Sequence, residues 1–128
     1  MHWKNLSMVK DGIVIDVSDM KKLQLIKEKG VAIVQTGIHI GPLVKKLAQE
    51  GFMAPFGDNP TVGIGGFTMG GGMGILQRSI GFMSDNLIGL EMVDANGTVL
   101  NANKNNNSDL LWASRGGGGG NFGINTEV

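Results

Sequence analysis

The most informative segment of this 128-residue chain runs Asn59-Pro60-Thr61-Val62-Gly63-Ile64-Gly65-Gly66-Phe67-Thr68-Met69-Gly70-Gly71-Gly72-Met73-Gly74. Glycines have no Cβ, so a ligand can approach the main chain closely, and consecutive amides can converge on an anion. A helix starting within the segment would add its free N–H groups and its dipole to the attraction for phosphate. The segment contains no Lys or Arg, so backbone donors would have to bind a diphosphate, which favours a large, flat cofactor held by many weak contacts. The alternative is a glycine-rich loop that packs against its own sheet.

Standard nucleotide motifs do not explain these glycines. The phosphate-loop pattern is absent, because no glycine is followed by Lys and then Ser or Thr. A dinucleotide pattern does occur at Gly118, Gly120 and Gly123. It follows a predicted helix and precedes a predicted strand, whereas the motif requires the opposite order. We therefore interpret that match as a consequence of the glycine run.

Composition excludes several classes of function. Eleven basic and eleven acidic residues cancel, which argues against binding to nucleic acid or to an anionic membrane. The chain has no Cys and no Tyr, so it has no thiolate nucleophile, no sulfur-ligated metal site and no tyrosine acid or base. We expect no metal and assign no catalytic residue. No apolar run approaches the roughly 20 residues of a membrane span, and the first residues lack an apolar signal core, so we expect a cytoplasmic protein.

The first half of the chain predicts strands and one helix. The β-branched run 13–17 predicts a buried strand. Residues 20–29 fit either a helix or a strand, but a turn at Glu28–Gly30 before the clear strand 31–35 favours a hairpin. Residues 40–50 predict a helix that Gly51 ends. Its predicted apolar stripe consists of Ile40, Leu43, Val44, Leu47 and Ala48.

The second half predicts a hairpin, a helix and a final strand. Asn96-Gly97 between two β-favouring runs, 87–94 and 98–100, is a strong hairpin signal. Ser108-Asp109 can cap a short helix in which Trp112 is expected to be a core residue. Residues 121–126 predict the last strand. Asp85 and Asp94 are interpreted as turn residues rather than as paired catalytic carboxylates. Mixed helices and hairpins favour an α+β fold over a doubly wound sheet.

The order of the glycines also resembles a known family, the berberine-bridge-enzyme-like FAD-linked oxidoreductases. The shared positions are Gly57, Pro60, Val62, Gly63, Gly65, Gly66, Gly70, Gly71, Gly72, Gly74, Arg78, Gly81, Asp85 and Asn86. Two later runs, Val93–Gly97 and Asp109–Gly123, continue the same pattern in the same order. Each motif alone is weak evidence for the family, but the motifs in this order are specific to it. The resemblance extends from about Gly12 to Thr126.

The resemblance implies a fold and a reaction. The fold would be the second subdomain of a PCMH-type FAD-binding domain of the vanillyl-alcohol-oxidase-like superfamily, with a mixed or antiparallel sheet flanked by helices. The reaction would be oxidation of a small alcohol, sugar or alkaloid-like substrate by hydride transfer to flavin N5, with dioxygen commonly reoxidising the flavin. The implied partners are FAD and, in the parent enzyme, a small-molecule substrate.

The resemblance also implies which residues bind FAD. Residues of the first glycine cluster would line the pyrophosphate and isoalloxazine side: Pro60, Thr61, Val62, Gly63, Ile64, Gly65 and Gly66. Gly70, Gly71, Gly72 and Gly74 would continue that wall, and Ile124 would lie near the adenosine half.

The chain departs from the family pattern at several positions. Many members attach FAD through a cysteine immediately before the Pro-x-Val-Gly motif, where this chain has Asn59, so we expect any bound FAD to be non-covalent. A second attachment point, a histidine, would fall at Met1, one residue before His2. We therefore expect residues 1–128 to be a partial FAD-binding domain, with its first subdomain truncated and its substrate domain absent.

As an isolated chain, it is not expected to be active. Two alternatives are a non-catalytic flavin or nucleotide binder, and a structural fragment that self-associates as a homo-oligomer.

Overall fold

The computed structural model describes residues 10–128, and an antiparallel hairpin comes first in it. Strand β1 (Leu23–Ile26) pairs with strand β2 (Val31–Val34), with Leu23 opposite Val34. A 3-10 turn over Lys27–Lys29 connects them and ends at Gly30, whose φ of 61° lies in the left-handed region that glycine enters without strain. The hairpin predicted from residues 20–35 is therefore confirmed.

A second antiparallel hairpin consists of β3 (Gly89–Val93) and β4 (Val99–Asn103). At its turn the Asp94 carboxylate accepts hydrogen bonds from the backbone N–H groups of Thr98 and Asn96, both at 2.8 Å. The Thr98 bond in particular lowers the pKa of Asp94, because it stabilises the ionised carboxylate. This confirms both the predicted hairpin and the interpretation of Asp94 as a turn residue.

The last strand, β5 (Ile124–Glu127), joins the two hairpins. It pairs antiparallel with β3 on one side, with a register shift at Glu91/Met92. On its other side, Val34 and Val128 exchange backbone hydrogen bonds of 2.8 and 2.9 Å, and Gln35 forms a bridge to Glu127. The two sheets, β1-β2 and β4-β3-β5, are therefore linked by these bonds and this isolated bridge, and every pairing in the described part of the chain is antiparallel.

Four short helices accompany these two sheets and confirm the α+β prediction. They are α1 (Ile40–Gln49), α2 (Ile64–Met69), α3 (Gln77–Ile80) and α4 (Ser108–Ser114). One core cluster is built around α1 and the first hairpin and contains Val34, Ile38, Ile40, Leu43, Leu47, Phe56 and Ile64. The other lies under the second hairpin and contains Met69, Leu87, Leu90, Met92, Ala102 and Leu111. No helix within residues 10–128 is long and apolar enough to cross a bilayer.

The strand predicted at residues 13–17 is wrong. These residues have no strand conformation, and Ile13 and Ile15 are 90% and 62% exposed. A strand requires a hydrogen-bonded neighbour, and no strand of the described part of the chain pairs with this run. A local β-branched pattern indicates only a preference for a strand, and within residues 10–128 no neighbouring strand satisfies that preference.

The helices also correct several predictions about individual residues. Trp112, expected in the core, is 79% exposed. The buried residues of α4 are Leu111 and Ser114, three positions apart on one face, which leaves Trp112 on another. Val44 and Ala48 of the predicted α1 stripe are also exposed, because the buried face of α1 is a narrow stripe that consists of Ile40, Leu43 and Leu47.

Two predicted element boundaries also move. The N-cap of α4 is Asn107 rather than Ser108-Asp109. The final strand begins at Ile124 rather than at residue 121, because Gly123, directly before it, has a φ of 153° that a strand excludes.

Adjacent residues of α1 provide a test of this packing. Leu43 is 1% exposed, whereas Val44 is 39% exposed. We expect Leu43→Ala to lower the free energy of unfolding by about 3 kcal/mol, because it leaves a cavity. Val44→Ala should change it by less than about 0.5 kcal/mol. Chemical denaturation of both variants measures the difference, and equal losses would contradict the placement of α1.

Candidate functional site

A cleft of about 200 Å³ lies where α2, the glycine-rich loop after α4, and the start of β5 meet. The residues that line it carry no ionisable side chain. They are Ile15, Val17, Thr36, Gly65, Gly66, Met69, Met92, Gly118, Gly119, Gly120, Phe122, Gly123, Ile124 and Asn125. A ligand would therefore be held by main-chain groups, by apolar walls and by a few neutral polar groups.

Residues 59–63 place the start of α2 against α1. The carbonyl oxygens of Pro60 and Val62 accept hydrogen bonds from Gly41 N at 2.9 Å and Ile40 N at 2.8 Å. Asn59 Oδ1 closes a local turn by accepting from the backbone N and the hydroxyl of Thr61, at 3.0 and 2.8 Å. These hydrogen bonds hold the loop in place and so fix where α2 begins.

The first turn of α2 presents backbone donors to the cleft. Ile64 N donates to Ile38 O at 2.9 Å, but the amides of Gly65 and Gly66 have no protein acceptor among the described residues. The first N–H groups of a helix lack an intrahelical partner and are available to an acceptor from outside. Because α2 has only six residues, these two amides, rather than a large helix dipole, provide its attraction for an anion.

Of the two glycines at the start of α2, Gly65 is required by packing and Gly66 is not. A Cβ at Gly65 would lie 2.7 Å from Thr36 Cβ, so close packing of α2 on Thr36, which follows β2, requires glycine there. A Cβ at Gly66 would meet nothing within 4 Å, and its φ is not in the left-handed region. No contact among the described residues therefore requires glycine at position 66.

A second set of glycines, in the loop after α4, also lines the cleft. Gly118 N donates to Met69 O at 2.9 Å, which docks this loop on the end of α2. Gly118 and Gly120 have φ angles of 88° and 81°, where a side chain would be strained. Gly119 is different, because it has no such φ and a Cβ there would meet nothing within 4 Å.

Asn125 lines the cleft, and its side-chain amide is unpaired. Its Oδ1 and Nδ2 atoms are both buried, and neither has a hydrogen-bond partner in the described part of the chain. Leaving a buried donor or acceptor unpaired costs about 1–3 kcal/mol. Because each of the two atoms exposes less than 1 Å², this amide is an unpaired group of the interior and is closed to a ligand in the cleft.

The structure brings together three of the predicted cofactor-binding residues, Gly65, Gly66 and Ile124, which all line the cleft. The predicted residues Pro60, Thr61, Val62, Gly63 and Ile64 precede or begin α2 and do not line it. Gly70, Gly71, Gly72 and Gly74 lie beyond the end of α2. That these residues contact the cofactor stays a prediction.

The local reasons for two of the later glycines are structural. A Cβ at Gly72 would collide with Met83 and the Phe67 ring, and one at Gly74 would collide with the carbonyl oxygens of Pro55 and Phe56. Close packing alone is therefore sufficient to explain glycine at these two positions.

Sequence reasoning missed the other side of the cleft. It assigned no binding role to Gly118–Gly120, Phe122 or Asn125, although these residues lie in or directly after the five-glycine run. The five-glycine run indicates a possible binding loop, but it follows a helix and precedes a strand, which is the reverse of the order in a dinucleotide motif. The histidine attachment point predicted near Met1 and His2 lies outside the described residues.

Catalytic and metal-binding groups are not gathered at this site. Within residues 10–128, no three His, Cys, Asp or Glu side chains are grouped so that they could hold a metal ion. Asp85 accepts a hydrogen bond from Phe82 N at 2.9 Å, which confirms its interpretation as a turn residue. The arrangement is suited to binding a neutral ring and an anion, and it presents no side chain for proton transfer.

A larger groove of about 540 Å³ lies elsewhere, between the first hairpin, α1 and residues 80–89. Its walls are mainly apolar side chains, including Leu25, Leu47 and Met53. It lacks the paired glycine runs of the smaller cleft, so size alone does not make it the candidate site.

Comparison with known proteins identifies relatives of the chain. The FAD binding domain family matches residues 3–103. An uncharacterised FAD-linked oxidoreductase, YvdP of Bacillus subtilis, is 68% identical over 124 residues, which cover 97% of this chain and 28% of that protein. The chain thus spans less than a third of this relative's length.

Solved structures show the same similarity. Physcomitrella patens BBE-like 1 matches with a TM-score of 0.83 and 40% identity, over 86% of this chain and 24% of that one. The 6-hydroxy-D-nicotine oxidase of Arthrobacter nicotinovorans matches with a TM-score of 0.90 and 36% identity, over 94% of this chain and 26% of that one. These matches confirm the resemblance to berberine-bridge-enzyme-like proteins.

Alanine substitutions at Gly65 and Gly66 test whether packing requires glycine at the first position and not at the second. Gly66→Ala should leave the melting temperature unchanged or raise it, because alanine is favoured over glycine in a helix by up to about 1 kcal/mol and the new Cβ meets nothing. Gly65→Ala should lower the free energy of unfolding by about 1–3 kcal/mol, because its Cβ would crowd Thr36. Differential scanning calorimetry compares the two, and a larger loss in Gly66→Ala would contradict the geometry of the cleft.

Proposed function

This chain belongs to the FAD binding domain family, and on that premise we propose that it holds FAD in the cleft between α2 and β5 for a flavin-dependent oxidation. The cofactor of the family is FAD, and the relatives are FAD-linked oxidoreductases. Because the chain spans about a quarter of its relatives' length, the activity and the substrate of the whole protein are part of the proposal.

One observation carries the choice of this cleft. Gly66 on α2 and Gly119 in the loop after α4 both line it, and within residues 10–128 neither backbone conformation nor a neighbouring atom requires glycine at either position. A ligand that contacts the main chain at both positions would require it. Glycine at two lining positions with no structural need is what a cofactor packed against the backbone predicts.

The residues present fit a flavin dinucleotide. The amides of Gly65 and Gly66 would bind phosphate oxygens, while Phe122, Met69 and Ile124 offer apolar surface to a ring system. The absence of ionisable side chains from the lining agrees with a cofactor whose body is neutral and flat. With FAD bound at this site, a flavin N5 can accept a hydride from a substrate C–H bond.

We propose a small alcohol, a sugar or an alkaloid-like compound as the class of substrate. The name of the Arthrobacter relative, 6-hydroxy-D-nicotine oxidase, supports the alkaloid-like member of this class. The cleft itself presents no acid or base, so in this proposal the chain binds and orients the cofactor while groups outside the cleft handle the substrate's proton.

Gly66→Ala and Gly119→Ala test the proposal directly. Each should lower FAD affinity by about tenfold or more, equivalent to about 1.4 kcal/mol, because a methyl group would separate the cofactor from the main chain. Neither should lower the melting temperature. Titration of the purified protein with FAD, followed by flavin fluorescence and calorimetry, measures both quantities.

Gly63→Ala is the matched control for this pair. Its Cβ would also meet nothing closer than 4.0 Å, but Gly63 does not line the cleft. Affinity lost in Gly63→Ala and kept in Gly66→Ala and Gly119→Ala would place the cofactor outside the cleft.

A further test concerns how FAD is held. We propose that it is non-covalent, because the side-chain amide of Asn59 cannot form a thioether and no cysteine is available elsewhere in the chain. Acid denaturation should release all the flavin into the supernatant, as measured by its absorbance. Flavin added to already denatured protein controls for trapping. Fluorescence that migrates with the polypeptide on a denaturing gel would contradict this proposal.

A further inference from the structure

The five-glycine run, residues 116–120, is held firmly at its beginning. The guanidinium of Arg115, directly before the run, donates to Leu87 O from Nε at 3.0 Å and from Nη2 at 2.6 Å. The next two amides bond back to the last turn of α4, and Gly118 N then donates to Met69 O at 2.9 Å. These bonds attach the first part of the run to β3's approach, to α4 and to α2.

Beyond Gly118 the main chain provides no such support. Within residues 10–128, the amides of Gly119, Gly120, Asn121 and Phe122 donate to no backbone carbonyl. Glycine loses more conformational freedom on ordering than any other residue, so a single conformation of this stretch depends on bonds from side chains. The stretch includes Gly119, which the proposed function places against the cofactor.

The side chain of Asn121 provides such a bond. Its Nδ2 atom donates to Gly117 O at 2.7 Å and lies 3.5 Å from Gly118 O. The bond closes a loop around Gly119, and the two glycines that flank Gly119 have positive φ angles. Asn121 is exposed and does not line the cleft, so it can influence a ligand there only through the loop.

We propose that Asn121 is a positioning residue, which holds the glycine loop in the conformation that contacts FAD. This inference rests on the proposed function, since it assumes that FAD lies against Gly119. A ligand that meets an ordered loop avoids the loss of conformational entropy that ordering the loop on binding would cost. The Asn121 side chain thus raises the affinity for FAD without touching it.

The variant Asn121→Ala separates this role from a merely structural one. It should bind FAD about fivefold more weakly, which is the order of effect of one hydrogen bond. The melting temperature of the FAD-free protein should fall by less than about 2 °C, because the loop can open without unfolding the rest of the chain. A merely structural bond would do the reverse, lowering the melting temperature and leaving the affinity unchanged.

Calorimetric titration with FAD and scanning calorimetry measure the two quantities. Asn105→Ala, at an exposed turn position outside the cleft, is the matched control and should change neither. Unchanged FAD affinity in Asn121→Ala would overturn the proposal.

Hydrogen exchange in the FAD-free protein reports on the loop itself. In Asn121→Ala the amide of Gly118 should exchange about fivefold or more faster, because the loop opens more often. The amide of Gly97, which donates to Asp94 O at 3.0 Å in the second hairpin, is the internal reference and should keep its rate. Equal exchange of Gly118 in the two proteins would contradict a role of Asn121 in ordering the loop.

Double variants show whether Asn121 acts through the contact at Gly119. In Gly119→Ala, where that contact is already impaired, adding Asn121→Ala should weaken FAD binding by less than about twofold. In Gly66→Ala, which alters α2 rather than the loop, the same addition should still weaken it about fivefold. Equal losses in the two backgrounds would overturn the proposal while leaving FAD binding intact, whereas failure of the unmodified protein to bind FAD would instead refute the proposed function.

Discussion

The cleft depends on the seam between β2 and β5. Thr36 lies at this seam, where its backbone N–H donates to Thr126 O at 3.1 Å and its hydroxyl donates to Asn125 O at 2.7 Å. The same residue forms the surface on which α2 rests, because Gly65 has no side chain to hold the helix away. One threonine thus sets the position of a strand and of a helix that form two walls of the cleft.

Local chemistry explains why much of the fold could be predicted from the sequence. The Asn96-Gly97 turn, the stop at Gly51 and the period of α1 each depend on residues within a few positions of one another. The seam could not be predicted in this way, because Thr36 and Asn125 are 89 residues apart in the chain. The same limit accounts for residues 13–17, whose β-branched pattern says nothing about whether a partner strand lies beside them.

The candidate site was predicted only in part for a related reason. A glycine in a sequence does not reveal whether packing, backbone conformation or a ligand requires it. The structure separates these cases: packing requires Gly65, a positive φ requires Gly120, and neither requires Gly66 or Gly119. Three predicted residues line the cleft, and the five-glycine run supplies a wall that the first cluster could not form alone.

The chemistry of the cleft follows from what its residues lack. With no charged side chain in the lining, the binding free energy has to come from apolar contact and from hydrogen bonds to groups that the protein leaves unpaired. Such bonds are directional, and removing one partner of a buried pair costs more than the net gain of forming it. A site of this kind discriminates by shape and by hydrogen-bond pattern rather than by charge. Its selectivity should therefore depend weakly on ionic strength, unlike that of a site built on lysines and arginines, whose attraction for phosphate salt screens.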